Sequence, residues 1–305
     1  MDVIQQELLS QVAGLHEVPE GAYNIRANGE LAGRNTTANI DIITKEDRSG
    51  IDIKIKPGTR GESVHIPVVL SQSGLKESVY NDFFVGEDCD VTIIAGCGIH
   101  NGGDQASEHS GIHRFFVEKN AKVRYVEKHY GSGDGSGERL MNPTTEIHLA
   151  QGASLEMETV QIKGIDSTRR VTTATVENGA SLTIKEKIMT HGKQFAETDF
   201  TVDMEGEDSG VNLISRSVAR DRSRQVFRSR INGNASCQGH SECDAIIMDE
   251  ASVSAIPELT ANHIDANLIH EAAIGKIAGE QLIKLMTLGL TEKEAEEQIV
   301  KGFLK

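Results

Sequence analysis

VGEDCDVTI (residues 85–93), VEKNAKVRY (117–125), LAQGASLEM (149–157), VENGASLTI (176–184) and INGNASCQG (231–239) are five versions of one phrase. Each runs from an apolar residue through two or three turn formers to a small residue, and then into a strand. The small residue falls at Cys89, Ala121, Ala153, Ala180 and Ala235, with weaker copies at Ala251 and Ala266. Gaps of 32, 32 and 27, and a last one of 15, fit a unit of about 15 residues that is sometimes doubled. A fixed period of short strands with a small residue at the corner predicts a parallel β-helix, each rung burying its inward face on the rung below. No proline interrupts residues 144–256, as expected of central strands that need every N–H.

Composition points the same way. With 30 Gly, no Trp and only 8 Phe and 4 Tyr, the chain suits a narrow stacked-rung interior better than a sandwich or barrel. The formal charge of −15, from 46 acidic against 31 basic residues, argues against a nucleic-acid partner and against an anionic membrane surface. No apolar run approaches the roughly 20 residues a bilayer helix needs. The N-terminus lacks a signal-peptide pattern, so the cytoplasm is the expected location. Four cysteines, Cys89, Cys97, Cys237 and Cys243, do not make a disulfide framework; core packing, metal binding and thiol chemistry stay open.

Working outward, residues 1–37 divide into a short helix and a lead-in. Ile4, Leu8 and Val12 share one helical face that Gly14 ends, and His16 to Thr37 is rich in Gly and Asn and reads as irregular. Strands begin near Ala38, and Ile51 to Lys56 alternates with period 2. The β-helix is expected over 38–277. Two stretches break its rhythm: Gly96 to His113, a polar His-rich loop, and Tyr130 to Arg139, whose YGSGDGSGER has linker composition and predicts a flexible, exposed segment. Over 278–305 the pattern turns helical. Leu282, Ile283, Leu285, Met286 and Leu288 fall at helical spacings before Gly289. Thr291 to Glu294 has the form of a capping box opening a second helix, with Ala295, Ile299 and Val300 as its stripe and Gly302 as its stop. Two such helices cannot bury their faces alone, so they dock on this chain or on a partner.

Several residues could carry chemistry. Cys97 ends the strand from Val91 and shares a face with Val91, Ile93 and Ala95, a core position; Gly96 and Gly98 beside it would let a partner's backbone or a sulfur donor approach. His100, His109 and His113, with Asp104 and Glu108, have metal-binding chemistry but no tight ligand spacing, and a solvated polar loop suits His109, Asp104 and Glu108 better. In Cys237-x-x-His240-x-x-Cys243 the two thiols share a strand face and His240 points the other way, so a closed three-ligand site needs a bend at Gly239. His270 and Glu271, as strand neighbours, face opposite sides.

These residues carry a resemblance. IHEAAIGKI (269–277) is similar to the HEA-x-x-x-KI segment of the SufB/SufD family, the scaffold half of the SUF iron–sulfur cluster assembly system. LMTLGLTEKEAEEQIVKGF (285–303) resembles that family's terminal helices, and GHSECDAIIM (239–248) its CD-containing strand. The run from Cys97 through His113 to Tyr125 resembles a further family segment, so the likeness spans roughly 85–303.

The resemblance implies a right-handed parallel β-helix flanked by helices, working as a scaffold dimer. It implies a SufC-like ABC ATPase bound through residues 278–303, whose ATP-driven closure remodels the scaffold interface. ATP would enter only through that partner, and the chain itself would have no independent enzymatic activity. A transient iron–sulfur cluster would be the cargo, supplied by a sulfur donor. By position, Cys97 matches a cysteine that receives or passes sulfur, His270 and Glu271 match residues at the nascent-cluster interface, and Cys243 matches a further scaffold cysteine. His100, His113, Cys237 and His240 are weaker metal candidates. The family's interface cysteine is expected near Ala251, so Cys243 or Cys237 has to substitute for it. The lead-in is shorter than in longer members, which implies a reduced homodimeric version with a single ATPase type. Two other functions fit less well: an adaptor of the ATPase without metal chemistry, and a polysaccharide-acting β-helix enzyme, against which the dispersed acids argue.

Overall fold

The computed structural model describes residues 1–17 and 19–305. From Lys76 onward the chain alternates between two sheets of ten strands each, with Arg139–Met141 and Thr144–Leu149 sharing one pass. The strand Asp90–His100 therefore lies beside Lys122–Ser132, two strands on, in parallel and residue for residue, with Ile93 beside Tyr125 and Cys97 beside His129. Ser154–Lys163, Ser181–Thr190, Ser209–Ala219, Cys237–Ile247 and Asn267–Gly275 continue the same wall. The opposite wall runs from Lys76–Val85 through Ser107–Val117 to Ser252–Ala261. This is the parallel β-solenoid expected from the repeat; a full turn takes two strands, so the 15-residue unit is half a turn.

The corners explain the repeated phrase. Asp88, Asn120, Gly152, Gly179 and Asp208 all have φ between 56° and 68°, the left-handed region that Gly, Asn and Asp tolerate best. The next residue turns into the interior: Cys89, Ala121, Ala153 and Ala180 stack there, each fully buried. The register continues this stack through Ser209 to Cys237. Ala235 therefore lies outside it, and the repeat comparison is corrected at that position. Ala251 belongs to the other corner, one residue before the pairing of Arg224 with Ser252. Pro257 lies in the edge strand Ser252–Ala261, where a missing ladder N–H is tolerated.

The lead-in is not irregular. Ala22–Ala27 pairs antiparallel with Glu30–Asn35 and parallel with Arg60–Leu70, and Ile40–Thr44 pairs antiparallel with Gly50–Ile55. Short polar strands with Gly at their turns carry a weak period-2 signal, which is why composition alone misreads them. Val18 lies outside the described residues. Nor is Gly96 to His113 a loop: Asp90–His100 and Ser107–Val117 take up most of it, leaving only 101–106 between strands. The Gly-rich stretch after Tyr130 is also ordered. Gly135 N donates to Asn101 O (3.1 Å) and Gly137 N to Gly103 O (3.0 Å). A Cβ at Gly137 would lie 2.2 Å from Gln105 O, so glycine here is required by close stacking rather than by flexibility.

Helix α1 (Val3–Ala13) has a capping box between Asp2 and Gln5 and ends at Gly14 with φ 64°. It lays Leu8, Leu9 and Val12 on the outside of the first wall. Its seat is Gly96 and Gly98, so the backbone that approaches these glycines is the chain's own helix. A Cβ on Gly96 would stand 2.7 Å from Val12 O and 2.9 Å from Lys128 O, both backbone atoms that cannot swing aside. Gly96→Val is expected to lift α1 off, forfeiting on the order of 1.5–3 kcal/mol per large apolar side chain re-exposed. Limited proteolysis should then cut within residues 1–14 much faster than in the parent; equal protection would contradict this seating.

At the C-terminus, α2 (Gly279–Thr287) and α3 (Glu292–Phe303) form as the pattern predicts, with Gly289 at φ 97° and the Thr291–Glu294 capping box present. α3 runs one residue past Gly302. It buries Ala295 and Val300, and Lys187 Nζ donates to the Lys305 carbonyl at 2.8 Å, which ties the tail to the strand Ser181–Thr190. No residue of α2 is buried, and Ile283, Met286 and Leu288 stand exposed.

Candidate functional site

Register decides which side chains meet inside the solenoid. On the first wall one inward row reads Cys97–His129–Gln161, and the row beside it reads Ala95–Glu127–Thr159–Glu186–Ser215–Cys243–Ala272. The next is Ile93–Tyr125–Met157–Ile184–Leu213–Ser241–His270. The facing wall contributes Asn81–His113–Thr145–Thr172 and, two residues back on the same inward face, Arg170. One side of the interior is therefore aliphatic and aromatic, and the other is polar along several turns.

Within the polar half, Arg170 is the central cation. Its Nη1 lies 2.8 Å from Glu127 Oε2 and its Nε 3.8 Å from Glu186 Oε1, and all three residues are buried. Burial pushes the Glu127 carboxyl up, but Arg170 and then His129 outweigh it and hold the group well below the usual range. Glu186 is shifted upward by burial, against the pull of Arg170. It accepts hydrogen bonds from Thr198 (2.8 Å) and Ser215 (3.0 Å). Tyr125 donates its hydroxyl proton to Glu127 Oε1 at 3.1 Å, so at the 2.8 Å contact with His113 Nδ1 the imidazole is the donor.

Cys97 stands at the head of this polar half. It is buried beside a cavity of about 10 Å3 that His109, His113, Glu127 and His129 also line. Burial first, and then Glu77 and Glu127, push its thiol well above the usual value. His109 is a buried strand residue whose Nδ1 lies 3.1 Å from Glu77 Oε1, so the solvated-loop reading is corrected for it. Asp104 does lie exposed in the short turn, while Glu108 accepts from Asn142 Nδ2 at 3.0 Å. His100 points outward and meets Ser132 Oγ at 3.0 Å, away from Cys97.

Burial lowers the His113 pKa to about 4. A histidine held low takes up its proton in the unfolded chain first. Its contribution is therefore intact above pH 6.5 and declines as pH falls from 6.5 towards 4, by about 3 kcal/mol over that interval. Glu127, also held low, adds a loss in the same direction further down. The urea midpoint of metal-free protein should drop on acidification from pH 7 to 4, and more steeply than in His113→Gln; equal slopes would contradict the burial of a neutral imidazole.

The other candidates lie at the last turns. Cys237 and Cys243 both point inward and are buried, while His240 faces outward, with Nδ1 3.0 Å from Asn212 Oδ1 and Nε2 3.6 Å from Glu271 Oε2. Burial, with Glu186 and Asp244, pushes the Cys243 thiol up to about 12. His270 points inward in the row of Ser241, and its buried Nδ1 has no hydrogen-bond partner among the described residues. Cys243 pairs with Ala272, two positions along the same inward face from His270. Strand spacings of about 4.8 Å, five to Cys243 and six to His270, put this group roughly 24–29 Å from Cys97. The sequence candidates thus form two groups, Cys97 with His113 and Cys243 with His270, while His100, His240 and Glu271 lie on the outside. Among the described residues, no three His, Cys, Asp or Glu side chains are already gathered as a metal-holding group.

Sequence reasoning missed Glu77, Tyr125, Glu127, His129, Arg170 and Glu186. Parity was the available signal. In LTIKEKI (182–188), Glu186 takes the same alternate positions as Leu182, Ile184 and Ile188, and a carboxylate on an apolar parity is a buried carboxylate.

Comparison with known proteins agrees with the fold and the motifs. Residues 79–303 match the family described as SUF system FeS cluster assembly, SufBD core domain. An iron–sulfur cluster assembly SufBD family protein of Archaeoglobus fulgidus is 33% identical over 265 residues, covering 85% of this chain and 69% of that protein. Relatives of the same description in Methanothermobacter thermautotrophicus and Methanocaldococcus jannaschii are each 28% identical; the chain spans 63% and 83% of their lengths. A solved polysaccharide lyase-like protein of C. thermocellum, at 9% identity, 84% coverage of this chain, 100% of that one and a TM-score of 0.23, is too distant to bear on fold or function. No described helix is long and apolar enough to cross a membrane. With the match covering most of the solenoid and both terminal helices, the chain belongs to the SufBD family of iron–sulfur cluster assembly proteins.

Proposed function

We propose that this chain is a scaffold on which an iron–sulfur cluster is built at the open end of the solenoid, between two scaffold copies. The observation that carries this reading is the last turn. The first strands are blunted by antiparallel partners, whereas among the described residues Ser252–Ala261 and Asn267–Gly275 end their sheets with no strand beyond them. Ile274 points inward yet remains 39% exposed. A row of unpaired backbone groups above an open apolar interior is a template for another strand edge, and terminal repeats left uncapped favour association. A second copy meeting this edge would close it. Cys243, His270 and Glu271 would then lie at or next to the junction. Iron–sulfur clusters take mainly thiolate with some imidazole ligation, and a carboxylate ligand is labile enough for a scaffold that releases its cargo. Ala251, at the far corner, has no ligand to offer, which leaves the thiol role to Cys243 or Cys237.

In this reading α2 and α3 dock a SufC-like ABC ATPase whose closure on ATP shifts the two scaffold edges. Cys97 receives sulfur from a donor, and the complex works in the cytoplasm. The test is anaerobic purification of the chain co-expressed with the ATPase, followed by assay of iron and acid-labile sulfide. Their joint presence supports the scaffold. A stable complex carrying neither supports a purely structural adaptor.

A further inference from the structure

The cavity beside Cys97 has a feature that cluster assembly at the far edge does not use. Gly111 faces it without a side chain, and the point where a Cβ would stand lies 3.1 Å from His113 Nε2 and 3.5 Å from His109 Nε2. Two imidazoles from alternate positions of one strand thus bring their Nε2 atoms together over Gly111. Their tautomers follow from the groups behind them. Glu77, an ionised carboxylate, only accepts, so His109 Nδ1 carries the proton. The Tyr125 hydroxyl proton is committed to Glu127, so His113 Nδ1 carries one too. Both Nε2 atoms therefore turn a lone pair to the cavity, the one on His113 accepting from Asn81 Nδ2 at 3.4 Å. Cys97 lines the same space, and so does Asn81, which is buried and whose Oδ1 has no hydrogen-bond partner among the described residues. The free volume, about 10 Å3, accepts one water-sized occupant and nothing larger.

We propose that Cys97, His109 and His113 form an interior metal site that takes one divalent d-block cation of the Zn(II) or Fe(II) type, with Asn81 Oδ1 as a fourth donor. One thiolate, two imidazoles and an oxygen are a donor set for tetrahedral binding of such ions. Histidine ligands are ordinarily held from behind by a carboxylate, carbonyl or similar group that fixes the tautomer, which is the role of Glu77 for His109 and of Tyr125–Glu127 for His113. The donors are not yet gathered at bonding distance; the cation draws Cys97 and the Asn81 amide inward by side-chain rotation, and Cys97 loses its proton to solvent on binding. The Glu77 and Glu127 carboxylates offset the remaining positive charge. Pro143 also lines the cavity. Proline brings no N–H to the ladder there, and Asn142 Oδ1 takes the Arg169 N–H at 3.1 Å. The site stands roughly 29 Å from the solenoid's open edge, from six strand spacings, and does not depend on the scaffold reading.

Co(II) tests it directly. Full-length chain carrying Cys237→Ser and Cys243→Ala, with folding checked by circular dichroism, is titrated anaerobically with Co(II). The expected result is a single equivalent bound, with a near-ultraviolet thiolate-to-cobalt charge-transfer band. Adding Cys97→Ser should remove the band, and His109→Gln or His113→Gln should weaken binding at least roughly tenfold. Glu77→Gln leaves every ligand in place and should cost roughly 10–100-fold in affinity through lost orientation of His109, which keeps the test valid if a ligand variant does not fold. A folded chain without the band, a band that survives Cys97→Ser, or unchanged affinity in Glu77→Gln overturns the site. Because the readout is metal affinity of the lone chain, failure here is distinct from failure of cluster assembly on the ATPase complex.

Discussion

Replacing Arg170 with methionine is expected to destabilise the chain by about 3–5 kcal/mol, the usual cost of removing one partner from a buried ion pair. The side chain does not hold the solenoid together by attraction as such. Bringing three charges into the interior is costly, and their mutual attraction repays only part of it. Glu127 and Glu186 lie on adjacent turns but one with Thr159 between them in the same row, and Arg170 reaches both from the facing wall. Without the guanidinium, Glu127 keeps its hydrogen bond from Tyr125 but loses the largest of the groups that offset its burial. Glu186 keeps Thr198 and Ser215 and suffers less. The urea midpoint should fall with little change in slope, since the exposed surface on unfolding is the same. The triple variant Arg170→Met, Glu127→Met, Glu186→Met should recover most of the loss, because apolar groups of similar volume often equal or exceed such a network in stability. A single variant as stable as the parent would show that the three charges do not share one buried environment.

If α2 docks the proposed SufC-like ATPase, carboxylates at Ile283 and Met286 are expected to abolish that binding while leaving the solenoid intact. Both side chains are exposed in the lone chain, so aspartate at either position meets only water before association. On docking, each parent side chain would gain about 1.5–3 kcal/mol of apolar burial. Losing two such contacts corresponds to a weakening of roughly 10²–10⁴-fold, even before the cost of burying a charge. Ala295 and Val300 are a useful contrast. They are buried already, and aspartate there should destabilise the tail itself and release the Lys187 to Lys305 contact. The measurement is equilibrium binding of the purified ATPase together with thermal melting of each variant. Unchanged affinity with aspartate at both α2 positions would move the docking surface elsewhere.

Local, repeated signals were legible in the sequence and isolated ones were not. The corner phrase carried the solenoid because four of its five copies combine a left-handed residue with a small buried one, and they reinforce one another. Capping chemistry at Thr291–Glu294 and the Gly289 stop are decided within a few residues, so α2 and α3 were readable to within a residue or so. Tyr130 to Arg139 was misread because glycine serves flexibility and close stacking equally, and only the neighbouring turn at Asn101–Gln105 tells them apart. His109 was misread for a related reason: SEHSGIH has polar residues at both parities, and its inward face is settled by Glu77 and Cys97 on other strands. The opposite-facing pairs His270/Glu271 and Cys243/His240, by contrast, followed from period 2 alone. That Cys243 and His270 lie near an open end could not be read, because where a solenoid stops depends on which strand finds no partner.

The central claim, that this chain is a cluster-building scaffold using Cys97 and His270, is tested most directly by anaerobic cluster assembly on its complex with the ATPase. Iron, acid-labile sulfide and visible absorption would be compared for the parent, Cys97→Ala and His270→Ala. The parent complex is predicted to acquire iron and sulfide together with a cluster spectrum, and each variant to lose most of that signal while still binding the ATPase. Clusters forming equally well in both variants would contradict the assignment.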